Sequence, residues 1–276
     1  MADLQGQQRL RLSQVEIERM AAAEAIIREC RCELAARDSD IVREVTAGTR
    51  KASEWRHYPD GDVYDPNSHA QYFYHTHSAT GGRPVREHGH FHTFLRAEGM
   101  PVGVTPLLLP EVAVPDFRLL PPQAAPLKLS AREEVSHLVA IAIDEGGEPI
   151  RLFTTNRWVT GETWYRAADV IQMLDRFTIC QTAPSGVLNR WVGALIQLFR
   201  PQITELLQAR DETVMAWRRR RRTQVFEDPR LEVTSSIEIG LEAQFALLER
   251  VRASAIRRVR RQLPPMGEGW GEGHAG

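Results

Sequence analysis

"YFYHTHSATGGRPVREHGHFHTF", residues 72–94, holds five of the nine histidines of the chain, at positions 75, 77, 88, 90 and 92. An even spread would put roughly 0.6 of a histidine in the span from 75 to 92, so composition does not account for the cluster. On both sides of Gly81-Gly82 the pattern recurs every second residue, the period of a strand and not of a helix. Residues 71–77 and 87–95 therefore predict two antiparallel strands. The loop between them, 78–86, carries the glycines that would let it flex over the strands.

Alternate residues of a strand share a face, so Phe73, His75 and His77 form one row and His88, His90, His92 and Phe94 another. Cross-strand partners project to the same side. A register with His75 opposite His90, Phe73 opposite His92 and His77 opposite His88 gathers all five imidazoles. A slip of two keeps them together, and a slip of one separates the rows. Opposed Cβ atoms about 5 Å apart let imidazoles share one ion at bonds of about 2.1 Å.

The expected cofactor is a divalent transition metal, iron or zinc, with copper and nickel also compatible with nitrogen ligands. The candidate ligands are His75, His77, His88, His90 and His92. Of these, His75, His77 and His90 with one of His88 or His92 would form a mononuclear set. His137 heads a later strand and is a further nitrogen alongside. Glu87, if on the strand, faces away from His88 and suits a place behind a ligand better than coordination. Gly89 lies on the opposite face, where its missing side chain admits a close neighbour. Each buried imidazole needs a polar partner of its own, which argues against a purely structural cluster. A metal-free active site or anion pocket, and a structural or incidental cluster, are the alternatives.

Outside the hairpin, Ser13-Gln14-Val15-Glu16 has the form of a capping box, and Met20, Ala23, Ile27, Cys30 and Leu34 follow at spacings of three and four. That predicts an amphipathic helix, with a second from Ser39 to near Gly48. Tyr58-Pro59-Asp60-Gly61-Asp62 predicts a turn. His137–Ile143 is a nearly continuous apolar run suited to a buried strand, and Ile150–Thr155 is a fourth strand. Seven prolines between Pro101 and Pro126 exclude a helix or a central strand there.

Helices return after Thr160. Trp164, Ala168, Ile171 and Leu174 mark one, and Leu188, Val192, Leu195 and Phe199 mark another, capped by Ser185. Pro201 suits the first turn of a third, and a last one carries Ile237, Leu241, Phe245 and Leu248. The fold class is α+β: a small, mostly antiparallel sheet bearing the histidine hairpin, packed by N-terminal and C-terminal helices. The expected divisions are N-terminal helices over 1–50, the histidine-rich core over 51–210, arginine-rich helices over 211–263 and a disordered tail over 264–276.

A net charge of −1 on 276 residues excludes a global pull toward nucleic acid or anionic lipid. The arginine runs at 218–222 and 257–261 lack interleaved aromatics, so a nucleic-acid partner is not expected. No apolar run approaches the roughly 20 residues of a membrane span, and the N-terminus lacks a secretory stretch, so a cytoplasmic location is expected. Three cysteines do not make a disulfide framework.

"FTTNRWVTGETW", residues 153–164, places Arg157 and Glu162 in a strand-to-helix passage. There Arg157 can orient an anionic group on a small-molecule substrate and Glu162 can act as ligand or base. Together with "YHTH…EHGHFHTF" and "SHLVAIAIDEGGEPIRLF", this stretch resembles a bacterial family catalogued only as a domain of unknown function, over about residues 50 to 210. The resemblance implies one domain and no activity. Cupins also carry H-x-H on a strand, but their following glutamate is replaced here by Ser78, Ala79, Thr80 and Gly81.

The residues thus predict a metal-dependent enzyme with a mononuclear histidine site, either a non-haem iron oxidoreductase or a zinc hydrolase or lyase. A protein that binds, senses or stores a transition metal is the alternative, and an arginine-mediated nucleic-acid binder the third reading.

Overall fold

Alternation along the histidine strands pairs them in the expected register: Phe73 lies opposite His92 and His75 opposite His90. The computed structural model describes residues 12–47, 56–76, 87–107, 134–221 and 224–262, without the side chains of 256–262. His77, the 78–86 loop, most of the proline-rich stretch and the tail from Pro264 lie outside these residues.

Among the described residues six strands form one antiparallel sheet whose spatial order equals the chain order. They are β1 (Tyr58–Tyr64), β2 (Ala70–Thr76), β3 (Glu87–Arg96), β4 (Val135–Asp144), β5 (Pro149–Thr155) and β6 (Val233–Glu238). Seven helices accompany them: α1 (Gln14–Ala35), α2 (Ile41–Val45), α3 (Arg157–Thr160), α4 (Ala167–Met173), α5 (Gly186–Leu198), α6 (Arg200–Arg221) and α7 (Leu241–Gln262). None is long and apolar enough to cross a membrane.

The two faces of the sheet have different jobs. One carries Tyr72, Tyr74, Phe91, Val139, Ile141 and Leu152 into the main core, with the buried residues of α1, α5 and α6. α1 starts where its capping box predicts: the Ser13 hydroxyl accepts from the Glu16 N–H at 3.2 Å, and the Glu16 carboxylate accepts from the Ser13 N–H at 2.8 Å. Its buried stripe is Met20, Ala23, Ile27, Cys30 and Leu34, with Ile17 added. The other face carries Phe73, His75, His90, His92, Ala140, Ala142 and Phe153. β4 lies mid-sheet and is buried on both faces, hence its unbroken apolar run.

Three sequence expectations are corrected. Residues 58–62 are not a turn between elements but part of β1, where the pairing with β2 shifts between Tyr58 and Val63. Gly61 and Asp62 have positive φ, so the turn-forming residues make an irregularity inside a strand. Ile237 belongs to β6, not to the last helix, which begins at Leu241. β6 is a polar edge strand, VTSSIE, and such a strand lacks the apolar alternation that marks a half-buried one. Trp164 precedes α4 and packs in a small cluster with Val214 and Leu231.

Candidate metal centre

Two one-residue irregularities decide which side chains reach the histidine face. In β3 the pairing with β4 shifts between Glu87 and Gly89. This puts Glu87 on the side of His90 and turns His88 to the other side, where its Nδ1 meets the Tyr74 hydroxyl at 2.7 Å. His88 therefore leaves the predicted ligand set: strict alternation puts it beside His90, and the shift at residue 88 reverses it. In β4 the shift falls between the partners of Thr93 and Phe94, so Leu138 is the extra residue and His137 turns onto the histidine face.

His75, His90 and His92 converge. Their ligand atoms lie within 4.8 Å of one another. His75 Nε2 is 2.6 Å from His90 Nε2, and His90 Nε2 is 3.0 Å from His92 Nε2. The protonation pattern follows from what stands behind each ring. His90 Nδ1 is 2.8 Å from Glu87 Oε1, and a carboxylate only accepts, so Nδ1 carries the proton and Nε2 a lone pair. That single lone pair faces two other nitrogens and cannot satisfy both. Nitrogens held about 2.1 Å from a common ion in tetrahedral directions lie about 3.4 Å apart, so an ion would widen the two short contacts by about 0.4–0.8 Å. A metal ion satisfies three lone pairs at once where a proton satisfies two.

Burial disfavours the charged form of the two innermost rings, His92 and His137. Burial pushes the His92 imidazole well below the usual histidine range, and positive charge on His90, His137 or His75 would add to the effect. His92 Nδ1 is 3.1 Å from His137 Nε2. His137 is itself pushed down to about 3, first by burial and then by the Arg210 guanidinium. Its Nδ1 faces the Thr155 hydroxyl at 3.4 Å. Glu87 accepts from both His90 and Arg151, the latter at 2.6 Å, so a carboxylate stands behind one ligand and a neutral imidazole behind another. Phe73 and Phe153 pack ring to ring on the histidines at centroid distances of 5.2 Å from His92 and 4.9 Å from His90 respectively.

Arg157 and Glu162 stand apart from the triad. Arg157 begins α3 and pairs with Glu227. Glu162 is 1% exposed and accepts from the His137 backbone N–H at 2.9 Å. Burial raises its carboxyl from 4.5 to about 7, against the opposing pull of Arg210. A carboxyl whose folded pKa is raised stabilises the protein below its unfolded pKa, and that contribution is lost as the pH rises through the folded value. Between pH 4.5 and 7 this group alone should remove roughly 3 kcal/mol. Urea unfolding at pH 5 and pH 8 should therefore show a smaller loss of stability in Glu162→Gln than in the parent. An equal loss in both would show that Glu162 titrates normally.

Sequence reading missed His57 and took Asp62 for a turn residue. His57 precedes β1, and the pairing of Tyr58 with Tyr74 sets it directly across from His75. Its ring lies flat on Phe73, centroids 3.6 Å apart at 6°, and its Nδ1 is 2.9 Å from Asp62 Oδ1. Gln71 Nε2 donates to the other Asp62 oxygen at 2.6 Å. The left-handed backbone at Asp62 (φ 58°) aims that carboxylate at His57. The signal was parity: with β1 recognised, His57 extends the row His75–His90 by one strand.

Searches of curated proteins and of solved structures give no match to the chain. A family model does match, over residues 20–239, a span that includes the whole sheet and all three convergent histidines, and the chain belongs to that family, described as a domain of unknown function (DUF6969).

Proposed function

We propose that the protein is a metal-dependent enzyme whose ion is held by His75, His90 and His92. The observation that carries this reading is the lone pair of His90 Nε2 facing two other ring nitrogens at 2.6 and 3.0 Å. Three imidazole nitrogens match the protein ligands of catalytic zinc sites, in which water or substrate takes the fourth position. The non-haem iron pattern of two histidines and a carboxylate needs an oxygen ligand, and none joins the convergent group among the described residues. The ligand set thus favours zinc hydrolysis or hydration over oxygen chemistry at iron.

When bound, such an ion supplies an acidified water and a Lewis acid for a carbonyl or phosphoryl oxygen. The chain supplies the frame. Glu87 and His137 fix the rings of His90 and His92 from behind, and Phe73 and Phe153 keep the surroundings apolar. His57, held by Asp62, is an oriented imidazole at the rim. Storage or sensing calls for a site closed by protein ligands, whereas His75 is only half buried and gives the fourth position an approach.

Elemental analysis of full-length protein purified without a histidine tag tests the proposal, beside the His75→Ala/His90→Ala double variant. The parent should carry about one zinc per chain and the variant less than about a tenth of that. Equal metal content in the two samples would end the proposal.

A further inference from the structure

We infer that the open position of this centre takes a small monoanion, a carboxylate in the biological case, in preference to a neutral ligand. The inference rests on the metal assignment above and concerns the charge of what binds beside it. All three ligands are neutral imidazoles, so a divalent ion held by them keeps both its positive charges. His90 and His92 are only 3% and 2% exposed, which places that charge where solvent screens it poorly.

Among the described residues the carboxylates around the face do not compensate for it. Glu87 is shared between His90 and Arg151, at 2.8 and 2.6 Å, and its charge is balanced by the guanidinium. Asp62 is shared between His57 and Gln71. Glu162 accepts from the His137 backbone on the far side of that ring, and burial favours its neutral form. Among the described residues the remaining side chains on this face are Phe73, Phe153, Ala140 and Ala142, which are apolar, with the His57 imidazole at the rim.

An uncompensated buried cation is stabilised most by an anion in direct contact, and a neutral ligand of the same shape leaves the charge in place. Hydroxide from solvent is the default anion. A carboxylate reaching past His75, the one partly exposed ligand, replaces it. The small size follows from the burial of the other two ligands: only the charged end of the molecule need reach the ion.

The test uses full-length protein loaded with cobalt(II), whose visible bands report its coordination, in chloride-free buffer. Acetate, azide and the near-isosteric neutral acetamide are titrated separately, and dialysis confirms that cobalt stays bound. Acetate and azide should change the bands saturably at about one anion per cobalt, with half-saturation at least about tenfold below that of acetamide. Acetamide matching acetate, or bands unmoved by either anion up to about 100 mM while cobalt stays bound, would overturn the inference and leave the metal assignment standing. Stripping of the cobalt by the anions overturns it as well. No retained cobalt in the parent, or equal retention by His92→Ala, would instead refute the metal assignment, and the inference with it.

Discussion

Alanine at position 92 should weaken zinc binding by more than about 100-fold, the upper end of what removing a group behind a ligand costs. His92 is the ligand with the least freedom. It is buried, its Nε2 is 3.0 Å from His90 Nε2, and its ring is held from behind by His137 at 3.1 Å and from the side by Phe73. No other described side chain stands where its nitrogen would be replaced. Glu87→Gln gives the graded comparison. It keeps all three ligands but removes the carboxylate that holds the His90 proton on Nδ1, so its loss should fall within about 10- to 100-fold. Competition with a chromophoric zinc chelator measures both variants. The parent's thermal midpoint should rise on adding zinc, because ligand binding to the folded state adds stability by mass action, and that of His92→Ala should not. Equal affinities in parent and His92→Ala would remove His92 from the centre. A larger loss in Glu87→Gln than in His92→Ala would mean that Glu87 is itself a ligand.

The parts of this site that sequence made legible are those governed by period and parity. Alternation placed the two histidine strands, and the parity condition admitted the register that pairs His75 with His90 without choosing it over a slip of two. The same reasoning located the buried stripe of α1, because burial at spacings of three and four is a property of the helix alone. What stayed illegible were departures of one residue from a period. His88 is excluded because residue 88 is where the pairing with β4 slips, and His137 is admitted because Leu138 is extra. Neither slip changes the composition of its strand. Each follows from competition between neighbours: Glu87 gains Arg151 and His90 as partners by turning inward, a gain visible only once β5 lies beside β4. β1 was hidden for a related reason. Asp60-Gly61-Asp62 has turn chemistry, and the chain uses it inside a strand to aim Asp62 at His57. The polar edge strand β6 has no apolar alternation to read, and it forms because β5 presents open backbone groups to it.

Gly89→Ala should destabilise the fold by about 2–3 kcal/mol and weaken the metal site with it. Gly89 sits between His88 and His90 on the core face, opposite Thr76. A Cβ built there would come 2.4 Å from the His75 carbonyl oxygen and 2.6 Å from the Tyr74 hydroxyl. The first of these atoms is backbone in the paired strand, so relief requires β2 and β3 to separate where His75 faces His90. The second is held by its hydrogen bond to His88, so it does not swing away freely. Both consequences come from one atom: the strand pairing weakens, and the 2.6 Å approach of the two Nε2 atoms opens. Gly193→Ala provides the contrast. That glycine lies inside α5 with nothing within 4 Å of the added methyl, and alanine there should stabilise the helix by about 1 kcal/mol without touching the metal. Urea unfolding separates the two substitutions by sign, and a zinc titration separates them by affinity. If Gly89→Ala unfolds like the parent and binds zinc as tightly, the two strands are not held in the close pairing that brings His75 onto His90.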